Sequence, residues 1–217
     1  MCGRCRCLYV VDPVSNLYTL DPVTASTHLV GAVTGLGGSV TDLAFHGPTL
    51  YGISFNQFLR IDPETGKGTV VGPIGGGFST NGLAVASDGT IYAGTTAGQL
   101  IRINPVTGAG TLVGNFGGGM TSSGDIAFDC NDVLYGALNQ GASVVLAQIN
   151  HSTGAATVIG STGQSTVYGL DFFCCHLYGV TAAGQLLTIN AVSGASTVIG
   201  KNALDMYGLA VKPCCGC

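Results

Sequence analysis

The chain has 217 residues, with 36 glycines, nine cysteines, no tryptophan, 46% hydrophobic side chains and only 8% charged ones. A chain this apolar can offset its ordering entropy by burial, which excludes disorder and leaves room for one large all-β domain or two small ones. Eleven acidic and seven basic residues give a net charge of −4; no basic face could neutralise a row of phosphates and no stretch nears the roughly 20 apolar residues of a membrane span, so neither nucleic acid nor a membrane span is expected.

In chain order, the opening Met1-Cys2-Gly3-Arg4-Cys5-Arg6-Cys7 is not an apolar signal segment, and an export signal, if there is one, is expected outside the given sequence. A repeat begins directly afterwards. Aliphatic-Tyr pairs recur at Leu8-Tyr9, Leu50-Tyr51, Ile91-Tyr92, Leu134-Tyr135 and Leu177-Tyr178, the tyrosines separated by 42, 41, 43 and 43 residues. After each pair come a short alternating strand, a second strand such as Gln57-Phe58-Leu59-Arg60-Ile61, a turn, and a strand such as Thr69-Val70-Val71-Gly72.

The turn itself repeats, as Asp21-Pro22-Val23-Thr24-Ala25, Asp62-Pro63-Glu64-Thr65-Gly66, Asn104-Pro105-Val106-Thr107-Gly108, Asn150-His151-Ser152-Thr153-Gly154 and Asn190-Ala191-Val192-Ser193-Gly194. Asp or Asn caps its own backbone two residues on, Pro presets φ, and Gly supplies positive φ, which together specify a hairpin connection. Each unit then crosses a loop to an apolar strand: Leu43-Ala44-Phe45, Leu83-Ala84-Val85, Ile126-Ala127-Phe128, Leu170-Asp171-Phe172 and Leu209-Ala210-Val211.

Four strands in about 40 residues, joined by short turns, predict a propeller blade, and five such units predict a single five-bladed all-β propeller of antiparallel blades over 1–217. The motif Gly82-Leu83-Ala84-Val85-Ala86-Ser87-Asp88-Gly89-Thr90-Ile91-Tyr92, followed by the Asp-Pro-x-Thr-Gly turn, resembles the extracellular β-propeller repeats of the YVTN and NHL-like kind, over nearly the whole chain. That resemblance speaks to fold and is almost silent on activity. The chain starts on a second strand and ends on an inner one, so the C-terminal strand is expected to complete the N-terminal blade and close the ring.

On that scheme every cysteine falls at one kind of turn, between inner and second strands: Cys130, then Cys174 and Cys175, then the terminal Cys2, Cys5, Cys7, Cys214, Cys215 and Cys217. Cysteine-dense turns in a weakly charged chain point to disulfides and an extracellular setting. Nine is odd, so at least one thiol must stay free, bind something or pair with another molecule. Two C-x2-C units that ring closure brings together offer an alternative, a zinc thiolate clamp on Cys2, Cys5, Cys214 and Cys217.

Catalytic constellations are not evident. Asp42 and Asp125, where other blades have Gly82, Gly169 and Gly208, are expected to ring the mouth of the central channel, as a candidate cation or sugar site or simply as caps on the loops entering their strands. Asp171 replaces an alanine near the axis and needs a partner if buried. His28, His46, His151 and His176 are scattered, and the Gly75-Gly76-Gly77 and Gly117-Gly118-Gly119 loops lack the following helix of a phosphate site.

The leading expectation is a non-enzymatic, cofactor-free structural protein that joins copies of itself head-to-tail through its cysteine-rich ends and turns. A propeller with such ends resembles the subunits of propeller-built fibres that some microbes secrete. The alternative is a glycan reader using the Gly-rich loops, with Tyr168 and Tyr207 for stacking.

Overall fold

The computed structural model describes residues 8–212, which form twenty strands and no helix. The strands make five antiparallel four-stranded sheets. Blade 2 contains β4 (Asp42–His46), β5 (Thr49–Ile53), β6 (Gln57–Ile61) and β7 (Gly68–Pro73); blade 3 contains β8 (Thr80–Val85), β9 (Ile91–Thr95), β10 (Gln99–Ile103) and β11 (Gly110–Asn115). Blade 4 is β12 (Thr121–Phe128), β13 (Leu134–Gln140), β14 (Ser143–Ile149) and β15 (Ala156–Ser161), and blade 5 is β16 (Gly169–Phe173), β17 (His176–Val180), β18 (Gln185–Ile189) and β19 (Ser196–Lys201).

Blade 1 takes three strands from the beginning of the chain, β1 (Leu8–Val11), β2 (Asn16–Leu20) and β3 (Thr27–Ala32), and one from the end, β20 (Tyr207–Val211). Antiparallel pairing of Leu8 with Val211, Tyr9 with Ala210 and Val11 with Tyr207 closes the ring, as the register of the repeat predicts. The inner strands β20, β4, β8, β12 and β16 then neighbour one another in a closed circle.

Both faces of each sheet are buried, and the core divides into five apolar clusters, one at each junction between blades. Antiparallel order puts the inner-to-second turns and the Asp-Pro-x-Thr-Gly turns on one face. The Gly-rich crossing loops lie on the other.

The turns form as their residues require. In the blade 3 turn Asn104 Oδ1 accepts the N–H groups of Val106 at 2.9 Å and Thr107 at 3.1 Å, and the blade 5 turn repeats this with Asn190, Val192 and Ser193. Gly66, Gly108, Gly154 and Gly194 close them with φ between 77° and 79°, and blade 1 uses Ala25 at φ 58°.

These turns have a second role that the repeat alone does not announce. The glycine near the end of each outer strand (Gly31, Gly72, Gly114 and Gly160) sits directly against the turn backbone of the following blade, so that a Cβ there would overlap the carbonyl of Thr65, Thr107, Thr153 and Ser193 respectively. Gly200 meets the Ala25 turn of blade 1 more loosely, its Cβ site lying 3.0 Å from Ala25 Cβ and 3.3 Å from the Thr24 carbonyl oxygen. Outer strand and neighbouring turn thereby interlock all around the ring.

Candidate functional site

The turn face carries every described cysteine. Cys130 is exposed in the β12–β13 turn, where Asp129 Oδ1 holds the turn by accepting the N–H groups of Asn131 at 2.8 Å and Val133 at 2.9 Å. Cys174 and Cys175 form the two-residue β16–β17 turn, in which Phe173 pairs with His176. Both have positive φ, 48° and 63°, the left-handed pair that a tight hairpin demands and that Asn-Gly usually supplies. His176 Nδ1 lies 2.8 Å from the Cys174 carbonyl oxygen.

The two turns belong to adjacent blades and border one groove of about 370 Å³, whose floor is the Tyr135–Phe172 ring pair, with centroids 5.3 Å apart. Three other blades place Pro22, Pro63 or Pro105 at the turn position occupied here by Ala191, a groove-lining residue too small to cover those rings. Burial, then the nearby charge of Asp129, raises the Tyr135 phenol.

Among the described residues no cluster of three or more His, Cys, Asp or Glu side chains is arranged to hold a metal. Cys2, Cys5, Cys7, Cys214, Cys215 and Cys217, and with them the zinc alternative, lie outside the described residues.

The axial carboxylates do not stand where the sequence suggests. Asp42 and Asp125 are fully buried rather than placed at an open mouth. Asp42 Oδ1 accepts the N–H of Leu43 at 2.8 Å and Oδ2 that of Leu83, in the next blade, at 2.5 Å. Asp125 does the same with Ile126 at 2.6 Å and with Leu170 of the next blade.

The reason lies in the glycines at the same level of the ring. Gly82 and Gly169 let neighbouring inner strands approach so closely that a Cβ would meet Asp125 Cα at 3.2 Å and the Gly208 carbonyl carbon at 2.7 Å. Backbone meets backbone closely at this level, and the two buried carboxyls influence each other there. Burial, above all, pushes both carboxyls well above the usual carboxylate range. This is a blade-to-blade staple that reaches one strand further than a cap on its own loop.

Asp171 is different. It lines an axial cavity of about 40 Å³, together with Ala44, Ala84, Ala127, Leu209 and the ends of the inner strands. Its oxygens accept the N–H groups of Phe172 and of Val211, each at 2.7 Å. Burial pushes this carboxyl up to about 7 against the lowering effect of those two bonds.

On the loop face Tyr168 and Tyr207 stack on each other, with centroids 5.0 Å apart and planes 29° from parallel, so each ring has one face already occupied. Of the histidines, His151 proves to be built in. It stands where other turns have proline and packs edge-on against Tyr92 and Phe128, with Nδ1 3.3 Å from the Tyr92 hydroxyl. Arg102 lies over the opposite side of the junction, 5.6 Å from the Tyr92 centroid. The missing proline was the available signal.

The chain is a five-bladed β-propeller. No family model and no curated protein matches it. Solved structures do match by shape: a chain of a nidogen/laminin complex at 11% identity and TM-score 0.63, covering 94% of this chain and 97% of that one; a structural-genomics protein of unknown function from Bacteroides thetaiotaomicron at 13% and 0.64, covering 94% and 64%; and the PQQ-bound aldose sugar dehydrogenase of Streptomyces coelicolor at 16% and 0.56, covering 94% and 81%. At these identities the likeness is one of fold.

Proposed function

We propose that this propeller is a non-enzymatic, extracellular structural module that links to copies of itself through its cysteine-bearing turn face, as a fibre or filament subunit. The observation that carries the reading is the grouping of Cys130 with Cys174 and Cys175 around one open groove on that face. An odd total of nine cysteines leaves at least one that pairing within the chain cannot use, and a surface with so few charges repels its copies weakly. Asp42, Asp125 and Asp171, the carboxyls best placed for chemistry, spend their oxygens on backbone N–H groups, which suits a scaffold better than a reaction centre.

Among the structural neighbours are a nidogen/laminin complex and a sugar dehydrogenase, so the fold favours neither association nor catalysis and the groove has to decide. The test is the mass of the native protein with and without reductant. Covalent oligomers that collapse to monomer on reduction, and that Cys130→Ser diminishes, are expected. An intact monomer on non-reducing gels of native material would refute the reading.

A further inference from the structure

Two neighbouring junctions of the ring are built alike and finished differently. Between blades 3 and 4 the Tyr92 and Phe128 centroids lie 5.6 Å apart, and the protein covers the pair itself: His151 packs edge-on against both rings, and the Arg102 guanidinium stands 5.6 Å from the Tyr92 centroid. Between blades 4 and 5 the matching rings are Tyr135 and Phe172, 5.3 Å apart. Their covers are replaced. Gln148, which faces Tyr135 across the sheet as Arg102 faces Tyr92, carries no charge, and Ala191 holds the turn position of His151.

A carboxylate stays behind without a cation. Asp129 is the one charged side chain among the residues that line the groove of about 370 Å³ over these rings, and its charge is felt by the Tyr135 phenol. An aromatic floor beside a carboxylate is a seat for a cation, above all for a planar guanidinium.

We propose that this groove receives the arginine-bearing segment 1–7 of a second copy of the chain, with the guanidinium of Arg4 or Arg6 over the Tyr135 ring and against the Asp129 carboxylate. The inference rests on the assembly reading above and gives the groove its partner segment.

The choice of occupant follows from charge and from thiol chemistry. Three of the seven Lys and Arg side chains are engaged elsewhere: Arg102 on Tyr92, Arg60 through Nη2 to the Pro105 carbonyl oxygen at 3.3 Å, and Lys212 with Glu64 at 2.8 Å. Lys67 and Lys201 have no cysteine near them in the chain. Arg4 and Arg6, which lie outside the described residues, flank Cys5 and stand next to Cys7. The segment therefore matches the groove twice, arginine to carboxylate and rings, and cysteine to the exposed Cys130 thiol at the groove border.

Its reach is also sufficient. Seven residues span up to about 25 Å, and they lead into β1 at its turn-face end, the face that bears the groove. Once seated, the segment presents a thiol beside Cys130. Oxidised glutathione can then close the link: the two thiols give up two protons and two electrons, one disulfide forms, and the glutathione disulfide is reduced to two thiols.

The test uses the full chain. An acceptor carrying Arg4→Ala and Arg6→Ala is titrated with a synthetic peptide of residues 1–7 that has serine for cysteine, and amide NMR shifts locate the contact. Shifts are expected at residues 129–135, 172 and 191. Asp129→Asn, which keeps an oxygen for the turn, should weaken binding about fivefold, and Ala191→His, which supplies the ring that His151 gives the neighbouring junction, should abolish it. No binding, or binding that survives both variants, would overturn the proposal.

A second measurement fixes the source of the segment. Equal parts of ordinary and isotopically heavy chain, oxidised together with oxidised glutathione and digested, should yield Cys130 joined to Cys2, Cys5 or Cys7 across the two isotopes. Links within one isotope alone would place the segment in its own molecule and overturn the second-copy assignment. Native covalent oligomers that Cys130→Ser diminishes and Asp129→Asn leaves unchanged would sink this inference while the assembly reading stands; peptide binding in the groove without native covalent oligomers would do the reverse.

Discussion

Replacing Gly114 by alanine tests the interlock between outer strands and turns at its tightest point. The new Cβ would overlap the Thr153 carbonyl oxygen and lie 2.9 Å from its carbonyl carbon. Gly114 does not have positive φ, so strand geometry itself accepts alanine and the perturbation is purely steric. Overpacking costs about 1–3 kcal/mol, and with backbone on both sides no rotamer can relieve it, which puts the cost near the upper end. Restricting the unfolded chain returns about 0.4–1 kcal/mol.

A net loss of about 2–3 kcal/mol is expected. At roughly 2–4 °C per kcal/mol for a chain of this size, Tm drops by about 4–12 °C. Urea unfolding followed by circular dichroism should show the midpoint falling at constant m-value. Gly200→Ala, facing the looser Ala25 turn, should cost about 1 kcal/mol or less, and Gly38→Ala, with nothing within 4 Å of its Cβ site, should cost nothing measurable. Equal stability of Gly114→Ala and the unaltered protein, within about 0.5 kcal/mol, would refute the interlock.

Other outcomes follow from the same structure. Asn190→Ala should cost about 1 kcal/mol by thermal melt, since Oδ1 holds the N–H groups of Val192 and Ser193. Because burial raises the Asp42 and Asp125 carboxyls, their contribution to stability is fully present below pH 4 and is lost as pH rises through their raised values; denaturation midpoints across pH should show that decline, and Asp125→Asn, which cannot ionise, should flatten it. Truncation after Met206 removes β20, exposes the cluster around Leu8, Val10 and Leu186, and leaves β1 an open edge, so size-exclusion chromatography should report aggregation in place of a sharp monomer peak.

Much of the fold was legible because the repeat states each instruction five times. The Tyr spacing gave the blade count, the Asp/Asn-Pro-x-Thr-Gly turns gave the hairpins, and the phase of the first and last strands gave the closure. The interlock was not legible in the same way: Gly31, Gly72, Gly114, Gly160 and Gly200 read as unremarked strand residues, although their identical phase was a signal of close backbone approach. Asp42 and Asp125 read as mouth residues because a sequence does not say whether a carboxyl meets water or the next strand. The glycines at their level did carry that information, since glycine there means backbone against backbone. Ala191 and His151 could have been noticed as departures from proline, but what each leaves open or fills depends on rings from other blades.

The contact between outer-strand glycine and neighbouring turn has one further consequence. Every blade presents a socket on one flank and the matching key on the other, always in the same rotational sense. At the outer rim, then, the turns of blades 2 to 5 offer the same mating surface to the strand before them. Only the Ala25 key of blade 1 is cut differently, which marks the seam where the circle begins and ends.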